Sequence, residues 1–271
     1  MNIVRRARPW LGTIVAMRVE GLREADALRA IQAAFDEVAA VHRLMSFHEA
    51  GSDLSRLHRQ CDTQVDARTY EVIAAALGIA ESSQGSFDPT IAANQVRRGS
   101  LPRIAEQMPD NDTDWRDIEL LGARRIRLRR PLWIDLGGIA KGYAVDRATD
   151  ILFAAGATQA CVNAGGDLRL RGDRAECIEL RGNNGSTSAV EIADAAVATS
   201  TVSAGSHVHG ITREPMHGAR TVSVIAPTCM IADALTKVVL ADPATPLLAT
   251  FSAQACLHDP QTGWRTPDLA A

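Results

Sequence analysis

A chain of 271 residues can bury one large core or two closely joined lobes. Its net charge of −3 offers no global field to nucleic acid or an acidic membrane surface, and aromatics at 4% leave little for base stacking. Five cysteines (Cys61, Cys161, Cys177, Cys229 and Cys256), odd in number and without a C-x-x-C pair, argue against a disulfide framework or zinc site and for a reducing compartment. In chain order, "MNIVRRARPWLGTIVAMRVEG" has early arginines but no sustained apolar run, so it does not read as a secretory signal. No later stretch approaches the ~20 apolar residues of a membrane helix, and a cytoplasmic protein without membrane insertion is expected. "TIVAMRVEG" reads as a strand ending at Gly21. Leu28, Ile31, Phe35, Val38 and Met45 then recur at helical spacing as one buried stripe. Gly51 breaks that helix and Ser52 offers a cap for the next. "ARTYEVIAAALGIAESSQG" predicts a further helix stopped by Gly85, and Pro89 forces Asp88 into a turn.

Residues 95–117, polar and proline-containing, predict a surface excursion with little regular structure. "RIRLRRPLWIDL" predicts two short strands around Pro131, followed by a helix from about Ile139 to Ala155 that Gly156 stops. Short strands come next: "ACVNAG", "LRLRG", "CIEL", "AVEI", "AVATS" and "TVSVIAP". The helix "MIADALTKVVLA" and the strand "QACLHD" follow. Helices and strands mix without strict βαβ alternation. The expected class is α+β, with mixed, largely antiparallel sheets and packed helices, as a single domain over residues 1–271 or two closely joined lobes.

One stretch, "WIDLGGIAKGYAVDRATDIL", carries chemistry in its order: Asp135, Gly137 and Gly138 precede a helix, and Lys141 lies in its first turn. Free N–H groups at a helix start attract anions, glycines let phosphate oxygens approach, and the lysine adds charge. An ordinary strand-to-helix turn with a solvated lysine has the same spacing. "VNAGGDLRLRG" repeats the theme with Gly165, Gly166 and Asp167, where a tight inter-strand turn is the plainer reading. Asp88 in "GSFDPT" is otherwise an Asp-Pro turn starter, and Asp233 in "IADALTKVV" is otherwise a first-turn acid answering the helix dipole. If these four carboxylates converge, backbone N–H groups would hold phosphates while carboxylates hold a divalent cation or ribose hydroxyls.

The ordered set "LGT", "MSFHEAGSDLSRLH", "GSFDPT", "IDLGGIAKGYAVDRA", "VNAGGDLRLRG", "AVATS" and "SVIAPTCMIADAL" resembles the ApbE family from about Trp10 to Leu240. "DLGGIAKGYAVDRA" and "NAGGD" are its specific parts. The resemblance implies an ApbE-like, T-fold-like architecture. It implies an FAD:protein FMN transferase that uses Mg²⁺ to cleave FAD, joins FMN to a Ser or Thr hydroxyl of an acceptor flavoprotein and releases AMP. An FAD pyrophosphatase or a non-catalytic FAD-binding paralogue are the alternatives. Carried over residue by residue, Leu11 stands near the flavin, His48 in a stacking or edge contact, and Ser86, Phe87 and Asp88 on the flavin-nucleotide turn. Asp135, Lys141, Gly165, Gly166 and Asp167 fall on nucleotide-binding positions, with Lys141 also catalytic. Gly138, through its carbonyl, and Asp233 fall on metal positions.

Two departures stand out. The family's threonine four residues after the metal-binding aspartate is Lys237 here, with Thr236 one place earlier. Either the lysine's charge replaces the metal, or it points away and Thr236 or water completes the shell. The family's His-x-x-Asp-Pro-Arg-Thr-Gly segment is rewritten as "SHVHGITREPMHGARTVSV", where His207 or His209 matches the histidine and Arg213 or Arg220 would replace the lost arginine. His207 is the expected acceptor of the hydroxyl proton. Three histidines in this loop read as solvated rather than as a metal site.

Overall fold

In the computed structural model, residues 3–110, 112–202 and 207–266 are described. In chain order the elements begin with β1 (Ile3–Trp10), β2 (Thr13–Glu20), α1 (Glu24–Met45), α2 (Asp53–Gln60), β3 (Asp62–Gln64), α3 (Ala67–Ser82) and α4 (Ala92–Arg97). A 3-10 turn at Trp115–Asp117 precedes β4 (Ile118–Leu121), β5 (Arg125–Leu128), α5 (Ala140–Ala154), β6 (Gln159–Ala164), β7 (Asp167–Arg171), β8 (Glu176–Arg181) and β9 (Thr187–Ile192). Last come β10 (Ala196–Thr201), β11 (Thr221–Ala226), α6 (Cys229–Ala241), α7 (Leu247–Thr250), β12 (Gln254–Asp259) and β13 (Gly263–Arg265). Strand pairing is antiparallel in every ladder among the described residues, so the class is α+β with antiparallel sheets. The chain divides into two compact units, Met1–His42, Lys141–Thr201 and Ala219–Ala271 in the first, and Arg43–Ala140 and Val202–Gly218 in the second.

The first unit is built on an eight-stranded sheet in the order β1-β2-β6-β7-β10-β11-β12-β13. Its opening hairpin closes on Leu11 and Gly12, both at positive φ (57° and 71°), which matches the twist of the flanking strands. Along β2, Val15, Met17 and Val19 alternate inward. They pack in one apolar cluster with Ala27, Ile31, Phe35 and Val38 of α1 and Val145, Ala148 and Leu152 of α5. Of the helical stripe read from the sequence, Leu28, Ile31, Phe35 and Val38 are the face α1 turns to the sheet, while Met45 is buried outside this cluster. A second cluster, around Leu168, Leu170, Leu180, Ile192 and Val197, lies under the β8–β9 hairpin.

In the second unit, Ser52 caps α2, its hydroxyl accepting the Ser55 N–H at 3.0 Å. Buried Asp53 ties α2 to α3 by accepting the Asp66 N–H (2.8 Å) and the Thr69 hydroxyl (2.7 Å). β3, β5 and β4 form a small sheet. Phe47, Ala92, Ala93 and Trp133 form a separate apolar cluster.

One local expectation is overturned, one is refined, and one strand is new. "LWIDL" forms no strand: the Ile134 N–H goes to His58 Nε2 (2.8 Å) and the Asp135 N–H to the Pro89 carbonyl (2.8 Å), so its backbone donors are used outside any ladder. The 95–117 excursion holds the end of α4 and the 3-10 turn, which Asp114 caps through the Arg116 N–H. β1 had no sequence signal because it is an edge strand whose Arg5, Arg6 and Arg8 lie exposed. Among the described residues no helix is long and apolar enough to cross a membrane.

Candidate functional site

In the first unit, α5, α6 and β7 bring two lysines and two aspartates together. Asp167 opens β7 directly after Gly165 and Gly166, which turn the chain from β6 at φ 65° and 106°. A Cβ at Gly165 would stand 2.5 Å from the Thr13 hydroxyl, so the turn admits only glycine there. Asn163 fixes the turn by accepting the Gly166 N–H at 3.0 Å. Asp167 is buried; its Oδ1 accepts the Thr199 N–H (3.2 Å) and its Oδ2 meets the Lys141 ammonium.

Asp233, 1% exposed in α6, is the second carboxylate. Its Oδ2 accepts the Gly142 N–H of α5 at 3.2 Å, and its Oδ1 faces the Lys237 ammonium one turn on. Lys237 Nζ also donates to the Asp233 carbonyl at 3.0 Å. Both helices approach closely because residue 142 is glycine: a Cβ there would lie 2.2 Å from the Cys229 carbonyl oxygen. Asp146, on the next turn of α5, accepts the Cys229 and Met230 N–H groups at 2.8 Å each and so caps α6. Burial pushes its carboxyl up to about 6, against those bonds and Arg169. Sequence reasoning passed over Asp146, although it sits inside the most specific motif.

These charges govern one another. Burial would raise the Asp233 carboxyl, but the Lys237 and Lys141 ammonium groups outweigh it and hold its pKa below the ordinary value. Asp167 goes the other way: burial and the charge of Asp233 raise it despite both lysines. Lys141 is pulled down by burial and raised more strongly by Asp233 and Asp167, so it stays an ammonium.

A divalent cation does not fit at Asp233 in this arrangement. Such ions need free oxygen donors, and Asp233 Oδ1 and its carbonyl both face an ammonium. Two lysines already balance two carboxylates; a dication ~4 Å from an ammonium would be opposed by ~8 kcal/mol at an effective dielectric of about 20. Thr236, expected as a metal ligand, has its hydroxyl committed to the Asp233 carbonyl (2.7 Å) and to Ser200 (2.7 Å), and is fully buried. No cluster of three or more His, Cys, Asp or Glu side chains suited to a metal occurs among the described residues. Beside the glycine turn, Asn163, Gly165, Gly166 and Thr199 line a cavity of about 670 Å³ that reaches Cys177 and Arg181 of β8. Leu11, at the hairpin tip of the same unit, packs against the α1 cluster.

The remaining expected residues belong to the second unit. Asp88 is buried and saturated: its Oδ1 accepts the Thr90 N–H (2.8 Å) and hydroxyl (2.7 Å), and its Oδ2 accepts from Arg213 (2.8 Å). Burial raises its carboxyl all the same, the Arg213 charge pulling the other way. Arg213 Nη2 further donates to the Thr113 carbonyl at 2.9 Å, so the rewritten loop is strapped to the "GSFDPT" turn by the arginine that sequence spacing could not assign. Gly210 packs on that turn too, its N–H reaching the Ser86 carbonyl at 3.3 Å. Phe87 is buried and Ser86 half-buried. Asp88, Trp115, Gly210 and Arg213 line a small cavity of about 210 Å³, where Arg213 Nη1 and Trp115 Nε1 have no hydrogen-bond partner.

Asp135 folds back on its own turn, accepting the Gly137 N–H at 3.0 Å, and Gly138 follows. His48 is exposed, its ring centroid 6.4 Å from that of Phe47 with the two planes at 80°. His207 is half-buried, and its carbonyl accepts the Met216 N–H at 2.8 Å. The His209 ring turns into the loop, Nδ1 accepting the Ile211 N–H at 3.1 Å, and burial lowers its pKa.

Against known proteins, the ApbE family profile matches residues 11–255. The FAD:protein FMN transferase of Treponema pallidum is 28% identical over 182 residues, covering 60% of this chain and 50% of that protein. The one of Vibrio cholerae is 27% identical over 144 residues, covering 49% and 43%. The chain thus spans about half the length of the curated relatives it matches. The solved flavin transferase ApbE from Vibrio cholerae superposes with a TM-score of 0.83 at 21% identity, over 98% of this chain and 96% of that one. The ApbE protein of Thermotoga maritima gives 0.85 at 23%, over 98% and 97%. At these identities the likeness fixes the fold.

Proposed function

The chain belongs to the ApbE family, and from that premise we propose that it is an FAD:protein FMN transferase acting on a Ser or Thr hydroxyl of an acceptor protein. The hydroxyl oxygen attacks the FMN phosphorus of FAD, the bond from that phosphorus to the bridging oxygen breaks, and AMP leaves with the electron pair. The hydroxyl proton passes to a base, for which the chain offers His207. Phosphoryl transfer of this kind is mostly charge stabilisation and positioning.

The observation that carries the reading is the first unit's cluster. Lys141 is held by buried Asp167 and Asp233, directly beside a glycine turn whose backbone a phosphate can approach. Lys141 is assigned to the pyrophosphate and Gly165–Gly166 to its close approach. Because a divalent cation does not fit at Asp233, stabilisation of the phosphate charge falls to Lys141 and the glycine turn.

The test is AMP release from FAD by the purified chain, with and without a candidate acceptor domain. Acceptor-dependent release, with the acceptor gaining the mass of FMN, supports transfer. Release without acceptor means a pyrophosphatase with water as nucleophile. FAD binding with no AMP means a non-catalytic flavin binder, a second reading favoured by the inward-turned His209 ring and the altered loop around it.

A further inference from the structure

We infer that Lys237 takes the place of a divalent cation at Asp233, so that this chain neither binds nor needs a metal there. The inference rests on the transferase reading only for its second half. Its basis is the geometry of one helical turn. Lys237 lies four residues after Asp233 in α6, and its ammonium contacts Oδ1 of the carboxylate and the main-chain carbonyl of the same residue. Those are the two oxygens that Asp233 would otherwise present to a cation, since Oδ2 already accepts the Gly142 N–H. The order acid-then-lysine at this spacing is the favourable one on a helix.

The surroundings leave the ammonium no rival. Asp233 is 1% exposed and the Lys237 side chain 20%, so the pair is screened from water. The neighbouring hydroxyl, Thr236 Oγ1, is used by Ser200 and by the Asp233 carbonyl. Asp167 is engaged by Lys141 and the Thr199 N–H. Two carboxylates and two ammonium groups thus form a neutral set in which both Asp233 carboxylate oxygens are taken, while Asp167 Oδ2 has the Lys141 ammonium as an ion pair without a hydrogen bond. A lysine is a compact positive charge with three donors and no acceptor, able to neutralise a carboxylate but not to share it with a second cation. In the proposed reaction it supplies fixed positive charge beside Lys141, and no metal is consumed or released.

The experiment titrates Mn²⁺ alone into the full chain, following the free ion by electron paramagnetic resonance, for the wild type, Lys237→Thr and Lys237→Gln. Wild type is expected to bind no Mn²⁺ at Asp233, while Lys237→Thr binds one equivalent that Asp233→Asn in the same background removes. Lys237→Gln, which keeps the side-chain length without the charge, decides the matter where the threonine variant does not fold. One equivalent bound by the wild type and lost on Asp233→Asn overturns the inference. So does a folded threonine or glutamine variant that gains no site. In parallel, AMP release from FAD by the wild type should be unchanged by EDTA and that by Lys237→Thr should require Mg²⁺. Wild-type turnover abolished by EDTA and restored by Mg²⁺ also overturns the inference. Absence of AMP release under every condition sinks the transferase reading, while the Mn²⁺ titration still decides the place of the lysine.

Discussion

At the scale of single residues, Lys141 carries the most consequence. Both buried aspartates stabilise its ammonium form, and removing it leaves two buried carboxylates that repel each other with Lys237 as the remaining ammonium. Lys141→Ala should lower AMP release by about 100-fold or more, measured as kcat/KM with FAD, and should loosen FAD binding. Lys141→Arg keeps the charge but not the compact shape, and should recover only part of the rate. The sequence made Lys141, Asp167 and Asp233 visible because each lies in a recognisable motif. The destination of Lys237 was not visible. An i,i+4 spacing puts a lysine within reach of the acid before it, and equally within reach of solvent. Burial of Asp233 decides between the two, and burial is a property of the folded helix pair.

At the scale of elements, two contacts fix how segments meet. The approach of α5 to the start of α6 depends on the absence of a side chain at Gly142, where a methyl group would collide with the Cys229 carbonyl. Gly142→Ala should therefore destabilise the protein by about 1–3 kcal/mol, read from the urea midpoint, despite alanine's better helix propensity. The strap from Arg213 to Asp88 joins positions far apart in the chain, and no spacing rule could pair them. Arg213→Ala should cost about 3 kcal/mol because it strands a buried carboxylate. The double variant Arg213→Ala with Asp88→Asn should be more stable than Arg213→Ala alone, since the charge needing a partner is gone. Helices α1, α3, α5 and α6 were legible in the sequence, the first by its apolar stripe, whereas the short α4 and α7 carry too few turns to show a period. The "LWIDL" segment was misread because alternation predicts an extended backbone but not whether a neighbouring strand is there to pair with it.

For the whole molecule, pH reports on packing. His58 lies in α2 with its ring beside Phe47 and its Nε2 accepting the Ile134 N–H, and burial pushes its pKa down to about 3. The unfolded chain takes up the same proton near pH 6.5, so below that pH the unfolded state holds more protons than the folded one. Stability is full above about pH 6.5 and falls as the medium is acidified towards 3. Between pH 7 and pH 5 the loss assigned to His58 is up to about 2 kcal/mol. His58→Gln keeps an acceptor without titrating, and should flatten that dependence in chemical denaturation at the two pH values.

The path of the backbone between the two units has its own consequence. The central sheet takes strands from three separated stretches, and the strand order places β2 against β6 and β7 against β10. A nascent chain has its first hairpin early, yet that hairpin waits for β6 while α1 to α5 and the small sheet are synthesised in between. Long closures of this kind slow folding and leave an apolar strand face exposed in the meantime. The segment from Arg43 to Ala140, by contrast, is continuous and keeps its small sheet within itself. Synthesis thus lets the small sheet of the middle segment form before the eight-stranded sheet can close.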